Sequence, residues 1–376
     1  MAEELRNWGP AVLAWILFLT CPRGDGVRRQ VRWVLAGLAW TLTAQIAFVY
    51  AEIGRIAGMP HAARLISHAG MVFTVWAAQE FMVRLGGRAR GRRWQAWWAV
   101  GAFVAMCLLF ATLRNLLPQS PRVMEYVLAY CAAQLPALVT IIGLGARYAR
   151  EAEGPVIRAS MWLVAGGAAL GVLYVMCKAT LAMSTRMSFD FSAGRDYVLS
   201  RALPTSAYVL VLLAAALPAG AGWLRRYRRY YRLGPLWRAL YAADPSIALD
   251  PPALPDALML GNLRLRLYRR VIEIRDGLLM LQPYRCPAAS AGARARATAR
   301  GLTGRALEAA TEAAVVAAAL AARTTGTPPR TPSAAVIGGA DLAGDTEFLS
   351  QVSIAYRDLP RPEPRPHATH TGATQP

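Results

Sequence analysis

RRYRRYYR, residues 225–232, separates two unlike halves of the chain. Before it stand long apolar runs; after it the sequence is polar enough for water. Five arginines and three tyrosines in eight residues suit a nucleic-acid contact, a membrane-surface anchor or a solvated helix face equally well. The flanking sequence decides between them.

The chain has 376 residues, of which 55% are hydrophobic and 17% charged, with a formal net charge of +20. So little charge combined with apolar runs near twenty residues is the composition of a membrane protein. Lys178 is the only lysine, so the basicity is arginine. It is shared evenly: residues 1–222 hold 21 basic and 10 acidic residues, and residues 223–376 hold 21 and 12. The five cysteines form no CxxC or CxxH spacing and three lie in apolar runs, which points to inert thiols. Glu3 and Glu4 oppose a signal-peptide reading of the N-terminus, and no A-x-A site follows the first apolar run.

Outward from the basic run towards the N-terminus, six spans are predicted at Trp33–Ile53, Leu65–Val83, Trp94–Leu113, Val123–Leu144, Met161–Ala182 and Leu203–Leu224. Each matches roughly 30 Å of hydrocarbon at 1.5 Å per residue. Helices are required, because lipid offers no partners to backbone groups. Trp8–Cys21 is a shorter apolar segment, either a seventh span or an interfacial helix. Trp94, Trp97, Trp98, Trp162 and Trp223 lie near segment ends, as interfacial anchors do. Arginines alternate between the connections, 17 on one side and 8 on the other. The excess marks the cytosolic side, giving a plasma-membrane protein with its N-terminus outside and its C-terminus in the cytosol. With six spans the C-terminus stays cytosolic.

The predicted fold is therefore all-α: a seven-helix transmembrane domain over 1–224, a basic juxtamembrane hinge at 225–234, a helical cytosolic domain over 235–358 and a disordered proline-rich tail at 359–376. In the cytosolic domain, helices are expected at Pro235–Ala242, Asn262–Leu281, Leu302–Ala322 and Asp341–Tyr356. Leu263, Leu267, Val271, Ile274, Leu278 and Leu281 recur at intervals of three or four and form one apolar face. Leu342, Phe348, Leu349 and Val352 do the same for the last helix. Residues 244–256, 285–300 and 323–340 read as loops or linkers.

No Walker loop, GxGxxG, HExxH or GxSxG occurs, and the four histidines make no ligand pattern. No catalytic residue, cofactor or metal is assigned, and the chain is not read as an enzyme. Polar residues inside spans are the remaining candidates, since lipid makes them costly. Gln45 lies in the outer half of its span. Gln134 sits near a midplane two residues before Pro136, which can kink the helix. These three either line a pathway or hold helices together by hydrogen bonds and packing. Glu52, Arg55 and Lys178 lie towards outer ends, and Gln79 and Glu80 near an inner end. They are solvated boundary residues or, for Glu52 beside Lys178, part of an outer vestibule. The glycines of 143–145 and 166–171 read as close helix contacts.

The strings RLGPLWRALYAADPSIALDPP (232–252) and RLRLYRRVIEIRDGLLMLQPY (264–284) resemble an actinobacterial family of seven-helix membrane proteins described as transporters, which end in a cytosolic domain of unknown function. The resemblance implies fold and location and carries over no substrate and no site residue. Two functions are expected from it and from the residues: a transporter-like protein, or a membrane-anchored sensor or scaffold whose cytosolic domain binds a protein partner. Arg225, Arg226, Arg228, Arg229, Arg264, Arg269 and Arg270 are the candidate docking residues, for a partner or for lipid. The run at 225–232 then reads as an interfacial collar, each arginine worth about 1 kcal/mol near an anionic leaflet. Nucleic acid is not an expected partner.

Overall fold

In the computed structural model, residues 2–21, 23–24, 26–59, 61–86, 92–112, 122–187, 189, 191, 197–248, 262–328 and 342–360 are described. Among them every regular element is a helix, so the protein is all-α. The chain divides into two compact units, Met1–Ala221 and Gly222–Pro376.

The first unit contains α1 (Ala2–Thr20), α2 (Val27–Ala44), α3 (Ala47–Ala57), α4 (Ala62–Leu85), α5 (Arg92–Ala111), α6 (Val123–Glu151), α7 (Pro155–Met187) and most of α8 (Tyr197–Arg232). Four stretches are long and apolar enough to cross a membrane: Trp94–Ala111, Val123–Glu151, Pro155–Ser184 and part of Ala202–Ala243. The chain is a membrane protein on that ground. Two segments fall short of the same measure. The apolar part of α1, Trp8–Thr20, is short. Helix α4 has the length but carries His68, Gln79 and Glu80 along it. It tolerates them by facing protein, since Gln79 and Glu80 are buried and α4 packs against α2, α3, α5 and α6.

The second expected span is not one helix. Between Ala44 and Ala47 the chain leaves the helical conformation and turns by 84°. No proline or glycine causes this. Ile46 is extended (φ −70°, ψ 128°) and buries its side chain among Leu35, Leu38, Leu42 and Leu212. Gln45 gives its side-chain amide to Ser67 Oγ at 3.1 Å. The two anchors hold residues 45–46 out of the helix, and α2 and α3 count as a fifth crossing only if taken together.

Helices α2 and α4 meet through a reciprocal contact. Thr41 donates to the Gly37 carbonyl (2.8 Å) and Thr74 to the Gly70 carbonyl (2.7 Å), each within its own helix. A Cβ at Gly37 would lie 2.5 Å from Thr74 Oγ1, and one at Gly70 would lie 2.6 Å from Thr41 Oγ1. Each glycine thus receives the threonine of the other helix, and backbones approach as small residues permit. Gly145 and Gly167 serve the same purpose, against Ala165 on α7 and Val211 on α8.

The second unit holds α9 (Gly234–Ala243), α10 (Leu263–Met280), α11 (Pro287–Ala299), α12 (Gly304–Thr324) and α13 (Leu342–Arg357). Leu233, Leu236, Leu240, Val271, Ile274, Leu278, Val316, Phe348, Leu349 and Val352 form one core. The predicted apolar face of α10 is buried, Leu267 only in part. Residues 287–299 are helical rather than a loop: seven of the thirteen are alanine, the strongest helix former, and only Gly292 opposes it. Positions 225–232 continue α8 without a break, and the turn comes at Leu233. The expected linkers at 249–256 and 329–340, and the tail from 361, lie outside the described residues.

Candidate functional site

In the membrane unit, two tyrosines of α6 meet His68 of α4. Its Nδ1 lies 2.7 Å from the Tyr126 hydroxyl. Its ring stacks on Tyr130 at 4.1 Å and on Tyr126 at 5.7 Å, both at 27°. Tyr126 and Tyr130 are buried and His68 half-buried. They sit one helical turn apart on α6, which puts both rings on the face turned to α4. Lys178 on α7 holds its ammonium 5.7 Å from the Tyr174 ring centre. Arg64 lies one turn before His68 on the same helix and is exposed.

Two of the predicted pathway residues connect to this cluster. Gln134 is buried, donates to the Tyr130 carbonyl at 3.4 Å and faces the Tyr130 hydroxyl. Gln45, exposed at the α2–α3 break, reaches Ser67, the neighbour of His68, and faces Tyr208. Pro136 points elsewhere. It lines a cavity of about 10 Å³, roughly the room one water needs, with Trp76, Gln79, Trp94, Gln95 and Trp98. Helix α6 passes through Pro136 unbroken. A proline cannot donate to the carbonyl four residues earlier. That carbonyl, Ala132 O, takes the Trp98 indole N–H from α5 at 2.9 Å. Pro136 therefore serves a helix–helix joint.

Glu52 pairs with its neighbour Arg55 on α3, so the vestibule pairing with Lys178 does not form. Gln79 and Glu80 are buried rather than solvated: Gln79 donates to Gln95 at 2.7 Å, and Glu80 accepts from Arg84 at 2.7 Å. His68 itself was not singled out by sequence. A lone histidine in an apolar run has no spacing partner; only the YxxxY of Tyr126 and Tyr130 on a distant helix gives it one.

The second unit disposes of the candidate docking arginines unequally. Arg225, Arg226, Arg228 and Arg264 are exposed. Arg229 pairs with Glu347 at 3.2 Å, and Arg269 is half-buried. Arg270 is a correction. It is 4% exposed and lies between the faces of Tyr230 (3.9 Å) and Trp237 (4.5 Å). Trp237 donates its indole N–H to buried Glu273 at 2.7 Å. Position 270 falls between Leu267 and Ile274 on the apolar face of α10, which is the signal that places it inside. Other ion pairs close the unit: Arg285 grips Glu312 through two bonds of 2.7 and 2.6 Å, and Arg323 binds Asp244 at 3.0 Å. Hydrogen bonds from Ser246 first, and then from Arg323, hold the Asp244 carboxyl down at about 2. Arg275 pairs with Asp345. Among the described residues of both units, no three His, Cys, Asp or Glu side chains are placed to hold a metal ion.

Residues 222–358 match the model of a family of unknown function (DUF6545), a range that takes in both of the distinctive strings at 232–252 and 264–284. No curated protein and no solved structure matches the chain.

Proposed function

We propose that the chain is a transporter-like protein of the plasma membrane, N-terminus outside and C-terminus cytosolic, related to the actinobacterial family that its C-terminal strings resemble. One observation carries the reading: a hydrophobic segment is broken at Gln45–Ile46, and Gln45 there is bonded to Ser67, the neighbour of His68. Non-helical backbone at membrane depth is tolerated where protein buries it or a cavity needs it, and interrupted segments mark binding sites in transporters. The arginine asymmetry supports the orientation. It requires α2 and α3 to count together as one crossing, because α2 opens on Arg28, Arg29 and Arg32 and only its later part is apolar.

Accessibility tests this. In a chain whose five cysteines are replaced, Gln134→Cys is exposed to a membrane-impermeant maleimide in right-side-out and inverted vesicles. The transporter reading expects labelling from both sides. Labelling from one side alone describes a receptor pocket, and none from either side makes Gln134 a packing residue; both outcomes end the reading.

The sensor or scaffold alternative draws on a different face. Leu265, Tyr268 and Leu279 of α10 are exposed beside Arg264, opposite the buried face of the same helix. A photo-crosslinking residue at position 268 of the full chain in cells is expected to give one discrete protein adduct if that face docks a partner. Lipid adducts alone, or none, would remove this alternative.

A further inference from the structure

We infer that the cavity between α4, α5 and α6 binds a primary ammonium group, held by the side-chain oxygen of Gln79 and by indole rings; this goes beyond the pathway reading and does not rest on it. Gln79 is 5% exposed and donates its amide to Gln95 at 2.7 Å. That bond spends an N–H of Gln79 and the oxygen of Gln95, and leaves the Gln79 oxygen with no hydrogen-bond partner among the described residues. The oxygen is not sealed in. Ser160 Oγ is the only fully enclosed side-chain oxygen or nitrogen without a partner among the described residues. The Gln79 oxygen therefore opens onto space, and the space that Gln79 lines is this cavity. A buried amide oxygen without a donor is costly, so the site calls for one.

The walls choose among donors. Trp76, Trp94 and Trp98 line the same cavity, and among the described residues no charged side chain does. Trp98 has its N–H on Ala132 O at 2.9 Å, so it offers the cavity its ring and not a hydrogen bond. Trp94 stands across it at 72° with ring centres 5.9 Å apart, and two rings so crossed make a corner. Indole is the aromatic ring that attracts a cation most strongly. A water or a hydroxyl would satisfy the oxygen alone, whereas an ammonium satisfies the oxygen and the rings together. Size sets the head: about 10 Å³ is room for one water-sized group, which admits a primary ammonium and excludes a trimethylammonium. Trp94 and Trp98 are 59% and 46% exposed, so the cavity lies at the outer surface of the membrane unit and an attached chain leaves there into lipid. The ligand class is an amphiphile with a primary amine at its head, either a free alkylamine or the headgroup of an aminophospholipid.

The test uses the full chain, labelled with 5-fluorotryptophan, in lipid nanodiscs. The fluorine resonances of Trp76 and Trp98 are assigned with Trp76→Phe and Trp98→Phe. In phosphatidylcholine nanodiscs, hexylammonium is expected to shift both resonances saturably, while hexyltrimethylammonium and hexanol leave them in place. Gln79→Met is expected to weaken hexylammonium by about tenfold, and Gln79→Glu, which puts a charge on the oxygen, to strengthen it by about tenfold, a gain that misfolding does not produce. Nanodiscs containing phosphatidylethanolamine separate the sources: resonances already at the bound position identify the lipid headgroup, and resonances that still need hexylammonium identify a free amine. No shift with hexylammonium, which leaves a water as the only occupant, overturns the inference, as does an equal shift with hexanol or no gain with Gln79→Glu. Labelling at position 134 bears on the pathway alone, so the two readings fail separately.

Discussion

In the C-terminal unit Arg285 and Glu312 lie side by side with their side chains 13% and 4% exposed, joined by two charge-assisted bonds. Arg270 and Glu273 are buried with them in kind, against Tyr230 and Trp237. In the membrane unit the buried polar side chains are mostly neutral. Thr41 and Thr74 donate to carbonyls of their own helices, Gln134 to Tyr130, and Gln79 to Gln95. The contrast follows from the reference state. A unit that folds in water draws its charges from water and recovers the desolvation only through close pairing. A helix that folds in lipid has no such supply, and its polar groups are made safe within the helix or by one neighbour.

The largest expected effect breaks an ion pair. Glu312→Ala strands Arg285 and should cost about 3–5 kcal/mol, read as a shift of the C-terminal unfolding transition of the full chain. Replacing both partners with leucine should recover most of it. A single-variant loss near zero would mean that water reaches the pair and that the units do not differ as described.

Next comes the α2–α4 seam. Gly37→Ala should destabilise by about 1–3 kcal/mol through overpacking, lowering the thermal midpoint in detergent. Gly143→Ala is the control, because a Cβ there meets nothing within 4 Å. Equal behaviour of the two variants would refute the reciprocal contact.

Trp98→Phe removes the donor to Ala132 O and should cost about 1 kcal/mol. Restoring the helical donor with Pro136→Ala should make the Trp98 change nearly silent, and additive losses would disconnect the two residues.

The smallest effect is electrostatic and exposed. Asp244 has its folded-state pKa depressed from 3.8 to about 2 by Ser246 and Arg323. Its contribution is therefore complete above pH 4 or so and fades as pH falls towards 2. Wild type and Asp244→Asn should differ in midpoint at pH 6 and converge by pH 2. A difference that persists at pH 2 would assign the effect to the Asp244 side chain's shape.

Much of this was legible in sequence, and the exceptions have physical causes. The periodicity of α10 and α13 named their core residues, because an amphipathic face needs no knowledge of its partner. Helix α11 was missed: arginine and glycine obscured its alanine content. The break at Gln45–Ile46 was missed because its cause is tertiary, an isoleucine drawn into a pocket made by α2 and α8. His68 was missed for the same reason, its partners lying about 60 positions away. Arg270 was misjudged as surface by its charge, although its register already put it inside.

The interlocked glycines and threonines have a mechanical consequence. With each threonine seated over the opposite glycine, α2 and α4 can slip only by a whole turn, about 5.4 Å, so they move as one rigid bar. Compliance in this hairpin then collects at the two residues where the backbone leaves the helix. Helix α3 becomes a short arm on a stiff frame, pivoting at Gln45, whose side chain is tied by one bond to the residue next to His68.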